Sequence, residues 1–379
     1  MSLAESTPPE PAQQGELLDW LTLSMVSGVG PRTLKLLLEQ FGTPAAVLDA
    51  PASALRDVQG VGPKLSREIA AARKAIDAPA ELALCKENGL SVLIPADSRY
   101  PRMLTEIHDP PSVLFVRGEM KPADMLAVAI VGSRHATHYG LTQAERLAGS
   151  LARAGLTIIS GLARGIDGAA HRGALDAGGR TLAVLGGGVL EIYPPEHKEL
   201  ADQVAAQGAI MSEAPPRAIP MSGSFPQRNR IISGLALGVI VVEATERSGA
   251  LISARHAMEQ GRDVFAVPGR VDSRTSRGCH ALIRDGVRLI ESADDVLEEL
   301  GPLVADAKRD DGSVVRHPAE LKLNDTETQV LQAVLAEPTS IDQVVQTSRL
   351  PVANVLSTLS VLEMRRLIKR LSGQYVVRI

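Results

Sequence analysis

Aromatic side chains are scarce in this chain: four Phe, four Tyr and one Trp in 379 residues, 2% of the total. That excludes a site built on many stacking rings. Cysteine is nearly absent too. Cys85 and Cys279 form no metal-ligand spacing and no disulfide framework. No apolar run reaches the roughly 18 residues of a membrane span. The opening stretch, Met1 to Glu16, lacks the basic-then-apolar order of a signal peptide. It is rich in Pro, Gln, Glu and Ser and reads as a disordered tail. Neither sign of charge dominates, with 40 Lys and Arg against 44 Asp and Glu and a net charge of −4. A uniformly basic protein is excluded, while a local basic site is not. What is present is apolar residue in quantity, 45% of the chain, ample for packed cores. The length suggests two or three domains, and the expectation is a soluble, cytoplasmic protein.

From Leu17 to Ala80 the pattern is helical and contains a short repeat. Gly28-Val29-Gly30-Pro31 opens one apolar-periodic run and Gly60-Val61-Gly62-Pro63, followed by Lys64, opens another. Glycines make a tight turn, and proline then starts a helix where its missing N–H costs nothing. The repeat resembles the paired helix–hairpin–helix units of SAM-like domains, whose hairpin N–H groups can hold a phosphate. Residues 81–124 read as a connecting segment with two strands, around Ser91–Ile94 and Val113–Val116.

The block 125–300 alternates β-branched runs with helical patterns. Strands are expected at 126–131, 157–160, 181–185, 209–212, 239–242 and 263–267, and helices at 140–154, 167–177, 198–207 and 250–260. Such alternation means an α/β, Rossmann-like, doubly wound parallel sheet. Residues 301–320 form a linker without periodicity. From 321 to 379, three helices and a hairpin turning at Ser372-Gly373 match a winged helix.

Chemistry concentrates at one edge of the expected sheet, since ligands of such sheets bind at the carboxyl ends of the strands. The first strand of the block ends at Gly132-Ser133-Arg134 and the second at Gly161-Leu162-Ala163-Arg164. The third ends at Gly186-Gly187-Gly188. Phe225-Pro226-Gln227-Arg228-Asn229-Arg230 precedes the fifth strand, and Ser248-Gly249 follows it. Glycine lets a backbone approach an anion, and arginine supplies a forked, permanently charged donor. A phosphate-binding site is expected where these loops meet. Gly28, Gly30, Gly60, Gly62, Lys64, Arg365, Arg366, Lys369 and Arg370 are candidate secondary contacts to DNA. Neither a G-x-x-x-x-G-K-[ST] loop nor a G-x-G-x-x-G after the first strand of the block is present, which argues against an NTPase or a dinucleotide oxidoreductase. Between Leu126 and Ile290 there are 18 basic and 14 acidic residues, and 17 of the 18 are arginine. An acidic body therefore surrounds an arginine-lined edge.

These loops carry a family resemblance. Val131-Gly132-Ser133-Arg134, Ser160 to Asp167 with Ala170-His171, and Gln227 to Gly234 resemble the DNA-processing protein A (DprA, or Smf) family. Glu243-Ala244, Ser248 to Leu251 and Val267-Pro268-Gly269 continue the likeness, as do Tyr100-Pro101 and Leu104 upstream. His280 stands where the family usually has asparagine, and Arg365-Arg366 where a glycine often precedes the wing. The resemblance implies a non-catalytic protein that binds single-stranded DNA in natural transformation. It would protect incoming strands and load RecA recombinase on them past single-strand-binding protein, as a homodimer. The resemblance implies no cofactor and no metal. Carried onto this chain, its phosphate-binding positions are Gly132, Ser133, Arg134, Gly161, Arg164, Arg228 and Arg230, with Ser248 and Gly249 nearby. Phe225, read as a loop residue beside Arg228, is then the candidate for stacking on a base; the alternative is a core residue that anchors the loop.

Three other readings compete. Asp167 and His171, four apart on one helix face, could be an acid–base pair. Alternatively, Asp167 caps the helix and His171 packs. A nucleotide N-glycosidase of the lysine-decarboxylase-like group has a similar sheet, but here no glutamate follows Ser248-Gly249 until Glu259. A winged-helix regulator would read double-stranded DNA through the basic wing.

Overall fold

The computed structural model describes residues 11–301, 307–308, 314–315, 323–335, 337–364, 367–371 and 375–378. Its centre is a nine-stranded sheet. The strands are β1 (Leu90–Leu93), β2 (Leu114–Gly118), β3 (Ala127–Gly132), β4 (Thr157–Ser160), β5 (Thr181–Val184), β6 (Ala209–Ser212), β7 (Gly238–Val242), β8 (Asp263–Ala266) and β9 (Arg288–Leu289). Their order is β1-β2-β6-β5-β4-β3-β7-β8-β9. β3 to β9 run parallel, while β2 pairs antiparallel with both β1 and β6.

β3 shows why these strands read as continuous apolar runs. Ala127, Ala129 and Val131 enter the core on one face, and Val128 and Ile130 enter the core on the other. Successive residues alternate faces, and both faces are covered by helices. One face packs Ser224–Gly234 and Ala250–Glu259; the other packs His138–Arg153 and Ile166–Asp176. From β3 the chain steps outward through β4 to β6, then returns to place β7 on β3's other side. The β3–β7 boundary is the point where strand order reverses, and there a crevice opens at the carboxyl ends.

The N-terminal helices form their own core around Leu37, Leu55 and Ile69. Both GVGP turns adopt one conformation, with Gly28 and Gly60 at φ +89° and +87° and proline opening the next helix. The three C-terminal helices, Asp325–Ala333, Ile341–Ser348 and Val352–Met364, pack on a three-stranded antiparallel sheet around Val344, Leu359 and Val376.

Five features depart from the sequence reading. A helix, Pro11–Ser24, occupies residues 11–16 of the expected tail. The helix Ala78–Glu87 crosses the expected boundary at residue 80, and Ala78, Leu82 and Cys85 share a core with Leu21, Phe115 and Ala183. The helical and central parts are thus joined by packing there. Residues 224–234, read as a loop, form a helix. Pro226 lies in its first turn, where proline is tolerated. Arg277–Arg284 is also helical, and β9 extends the sheet.

Candidate functional site

The crevice at the switch point is a cleft of about 470 Å³. Gly132, Ser133 and Arg134 line it from the end of β3, Ala163 and Asp167 from the β4 loop, and Ser248, Gly249 and Ala250 from the segment after β7. Ser222, Phe225, Arg228 and Asn229 line it from the start of the helix Ser224–Gly234. The N-termini of that helix and of Ala250–Glu259 therefore both reach the cleft, each placing the positive end of a helix dipole there.

Tight contacts hold the walls. Glu243, at φ +56°, accepts from Thr137 N (2.8 Å) and Thr137 Oγ1 (2.5 Å), and its carbonyl accepts from Ser133 N (2.8 Å). This ties the end of β7 to the loop after β3. Gly165 has φ +73°, and a Cβ there would stand 2.2 Å from Ser133 O. The β3 and β4 loops touch so closely that only glycine fits. Gly132 lines the cleft, yet a Cβ on it would meet Val242 O at 2.0 Å; at Gly161 it would meet Arg228 Nη1 at 1.9 Å. Both glycines make room for packing.

The arginines divide into three kinds. Arg134 is exposed, with its guanidinium carbon 5.0 Å from the Phe225 ring centre. Arg164 is exposed as well and is paired with Glu196, whose carboxylate raises its pKa. Arg228 is 4% exposed and donates from Nη1 to Val184 O. Its Nε has no acceptor among the described residues. Burial pulls its pKa down to about 10, opposed by the Asp167 carboxylate. Asp167 is buried too and accepts from Gly161 N (3.1 Å) and Ala163 N (3.4 Å). Burial raises its pKa, against Arg228 and those N–H groups.

Arg230 does not belong to the cleft. It is 4% exposed and forks onto Glu213 (2.6 and 3.0 Å), with Nε on Asp109 Oδ2 at 2.9 Å. It is a structural ion pair, and the sequence reading that placed it on phosphate is corrected. The third glycine loop is corrected likewise: Cβ atoms on Gly187 and Gly188 would strike Pro220 and the carbonyl of Pro216. That loop uses its glycines to pack against residues 215–220.

Phe225, half-buried in the first turn of its helix, meets the exposed ring of Tyr193, with centres 5.8 Å apart and planes at 47°. The sequence reading assigned Tyr193 no role. The two rings are 32 positions apart, so no local spacing could pair them.

Asp167 and His171 do not form an acid–base couple. Thr181 Oγ1 donates to Ile158 O at 2.7 Å, so its contact with His171 Nδ1 at 2.7 Å must be an N–H donated by the histidine. Burial drives the His171 pKa down to about 3, with His197 adding to the shift. Glu259 ends the helix that Ala250 begins and contacts His256 at 3.6 Å. It lies about 15 Å of helix from Ser248-Gly249.

His280 Nε2 stands 3.0 Å from Gly269 O, anchoring the Val267–Gly269 turn. Among the candidate secondary contacts, the four hairpin glycines sit in the two GVGP turns. Lys64 is exposed, 3.9 Å from Glu68. Arg370 pairs with Glu363 at 3.0 Å and donates to Ser360 Oγ at 2.8 Å, and Lys369 is exposed. Arg365 and Arg366 lie outside the described residues. The helix Val352–Met364, placed as a recognition helix would be, contains no Lys or Arg and exposes Val352 (55%) and Leu356 (40%). Among the described residues no helix is long and apolar enough to cross a membrane, and no group of His, Cys, Asp and Glu is arranged to hold a metal.

Fold and cleft together define a doubly wound α/β protein with arginines at its switch point, flanked by helix–hairpin–helix and winged-helix modules. The model of the DNA recombination-mediator protein A family matches residues 91–301. A DprA winged helix domain matches 315–374, and a SAM-like helix-hairpin-helix tandem matches 21–75. Protein Smf of Synechocystis is 36% identical over 93% of this chain and 96% of its own length. DNA processing protein DprA of Bacillus subtilis is 45% identical over 59% of this chain and 75% of its own. The X-ray structure of Streptococcus pneumoniae DprA superposes with a TM-score of 0.64 at 38% identity, covering 74% of this chain and 95% of that one. DNA processing protein A of Helicobacter pylori, solved in a study of its single-stranded DNA binding mode, gives 0.51 at 31% identity over 56% and 95%. The chain belongs to the DNA recombination-mediator protein A family.

Proposed function

We propose that this protein grips single-stranded DNA by its phosphates in the switch-point cleft and delivers it for recombination during natural transformation. Arg228 carries the reading. It is a buried guanidinium beneath the cleft whose Nε has no acceptor among the described residues, beside exposed Arg134 and two helix N-termini. A buried donor left unpaired costs about 1–3 kcal/mol, and an anion in the cleft offsets that cost. Ser133, Arg134, Arg228, Ser248 and Gly249 contact phosphate; Arg164 extends the track; Gly132 and Gly161 give the backbone its close packing. The Helicobacter relative, studied for single-strand binding, supports the same ligand here. The wider role is a cytoplasmic homodimer that shields incoming strands and loads RecA recombinase on them past single-strand-binding protein. It makes and breaks no bond, and needs no cofactor.

Fluorescence anisotropy with labelled oligo-dT and a matched duplex tests this directly. The protein is expected to prefer the single strand, with affinity falling steeply as salt rises. Arg134→Ala weakens binding and flattens the salt slope; an unchanged slope removes Arg134 from the site. Faster RecA filament assembly on strands coated with single-strand-binding protein tests the loading role.

A further inference from the structure

Resting on that single-strand reading, we propose that Tyr193 is the second base-stacking ring of the site, beside Phe225 along the strand. The chain has few rings, and several others are committed elsewhere. Phe115 and Phe265 are core, Tyr100 is buried with its hydroxyl on Pro111 O, and Tyr139 donates to Pro268 O. Tyr193 is 43% exposed and lines a small pocket with Arg134, Arg164 and Phe225, two of which also line the cleft. With its ring centre 5.8 Å from that of Phe225, the two rings touch directly and leave no slot for a base between them. A base must use the open side of either ring, and a guanidinium stands near each: Arg134 at 5.0 Å from the Phe225 centre and Arg164 at 6.0 Å from the Tyr193 centre. The result is a cluster of two rings, tilted by 47° to one another, with a guanidinium group beside each. Guanidinium planes and aromatic rings both stack on unpaired bases, so the cluster offers surfaces that a single strand can use.

The platform is held in place. Pro194 is buried, His197 reaches Leu162 O through Nδ1 at 2.9 Å, and a Cβ on Gly186 would stand 3.1 Å from the Phe225 ring. Glu196 pairs with Arg164, whose guanidinium stands near the Tyr193 ring. Phosphates then lie in the cleft at Ser133 and Arg134, while the bases turn toward the rings.

The test uses the full chain, oligo-dT, and the same oligonucleotide with abasic sites in place of its bases. Tyr193→Leu keeps an apolar prop against Phe225 but removes the ring. It is expected to weaken oligo-dT binding about 5- to 100-fold, to leave abasic binding at the wild-type level, and to leave the salt slope unchanged. Tyr193→Phe is expected to restore oligo-dT binding to within about twofold, since stacking needs the ring and not the hydroxyl. Wild-type affinity for oligo-dT in Tyr193→Leu, or equal losses on both strands, overturns the proposal. Arg134→Ala runs alongside. A flattened slope there with an unaffected Tyr193→Leu rejects the stacking ring and leaves the single-strand reading standing. Failure of the wild-type protein to bind either strand rejects both.

Discussion

Arg228 and Arg230 are two positions apart, and their fates differ completely. On a helix two residues are separated by about 200°, so side chains at i and i+2 face opposite ways. Arg228 faces the cleft floor, and Arg230 faces Glu213 and Asp109. Removing Arg230 strands a partly buried carboxylate. Arg230→Ala is therefore expected to cost roughly 2–4 kcal/mol in urea unfolding, a buried-pair value discounted for the partial exposure of its partners. The single-strand salt slope of the folded protein should stay at wild type. A flattened slope would return Arg230 to the site. His171 makes a pH prediction. Its pKa falls from 6.5 to about 3 on folding, so the unfolded chain binds the proton more tightly. The stability it contributes is complete above about pH 6.5 and is lost as pH falls toward 3, as much as roughly 4–5 kcal/mol. In His171→Gln, denaturation midpoints measured between pH 7 and 4 should vary less steeply than in wild type.

At the scale of elements, legibility followed burial. β3 to β8 could be read because strands covered on both faces appear as unbroken apolar runs between turns. The helix Ser224–Gly234 could not. Its first turn holds Phe-Pro, and its middle is Gln-Arg-Asn-Arg, polar because it faces a cleft and an ion pair instead of solvent. β9 has only two residues, too few for any period to register. The winged helix shows the reverse case. Its outline was legible, but a double-stranded reader needs cations on the helix that enters the groove, and Val352–Met364 has none. Truncation after residue 320 is expected to leave oligo-dT affinity within about twofold of the full chain. A loss above tenfold would show that this module touches the strand.

Across the whole molecule, the helical and central parts share one apolar cluster. Leu21, Ala78 and Leu82 cover Phe115, Ala183 and Ile210 of the sheet. A chain beginning at residue 82 exposes that face. It should melt well below a chain spanning 11–301, by more than the 4–8 °C that about 1 kcal/mol moves in a small domain. Equal melting temperatures in calorimetry would show that the two parts are independent. The charge distribution also works at this scale. The residues outside 126–290 carry a net −8 and those within it +4, so on the proposed reading a polyanion is drawn to the central block and its binding is salt-sensitive.

The flanking modules, the parallel sheet and the edge where the candidate site falls were all legible in the sequence alone. Each rests on periodicity, turn residues and the carboxyl-end rule, which are local or topological. Tertiary structure decided which arginines serve the cleft, because a side chain's direction depends on helix phase and on partners as distant as Asp109. It also paired Phe225 with Tyr193. A ring in the loop after β5 and one in the first turn of the helix after β6 meet only when the two segments are packed at the same sheet edge. The scarcity of aromatics had pointed to phosphate contacts before base stacking. The fold brings two of the nine rings together beside the cleft, tilted by 47° with centres 5.8 Å apart.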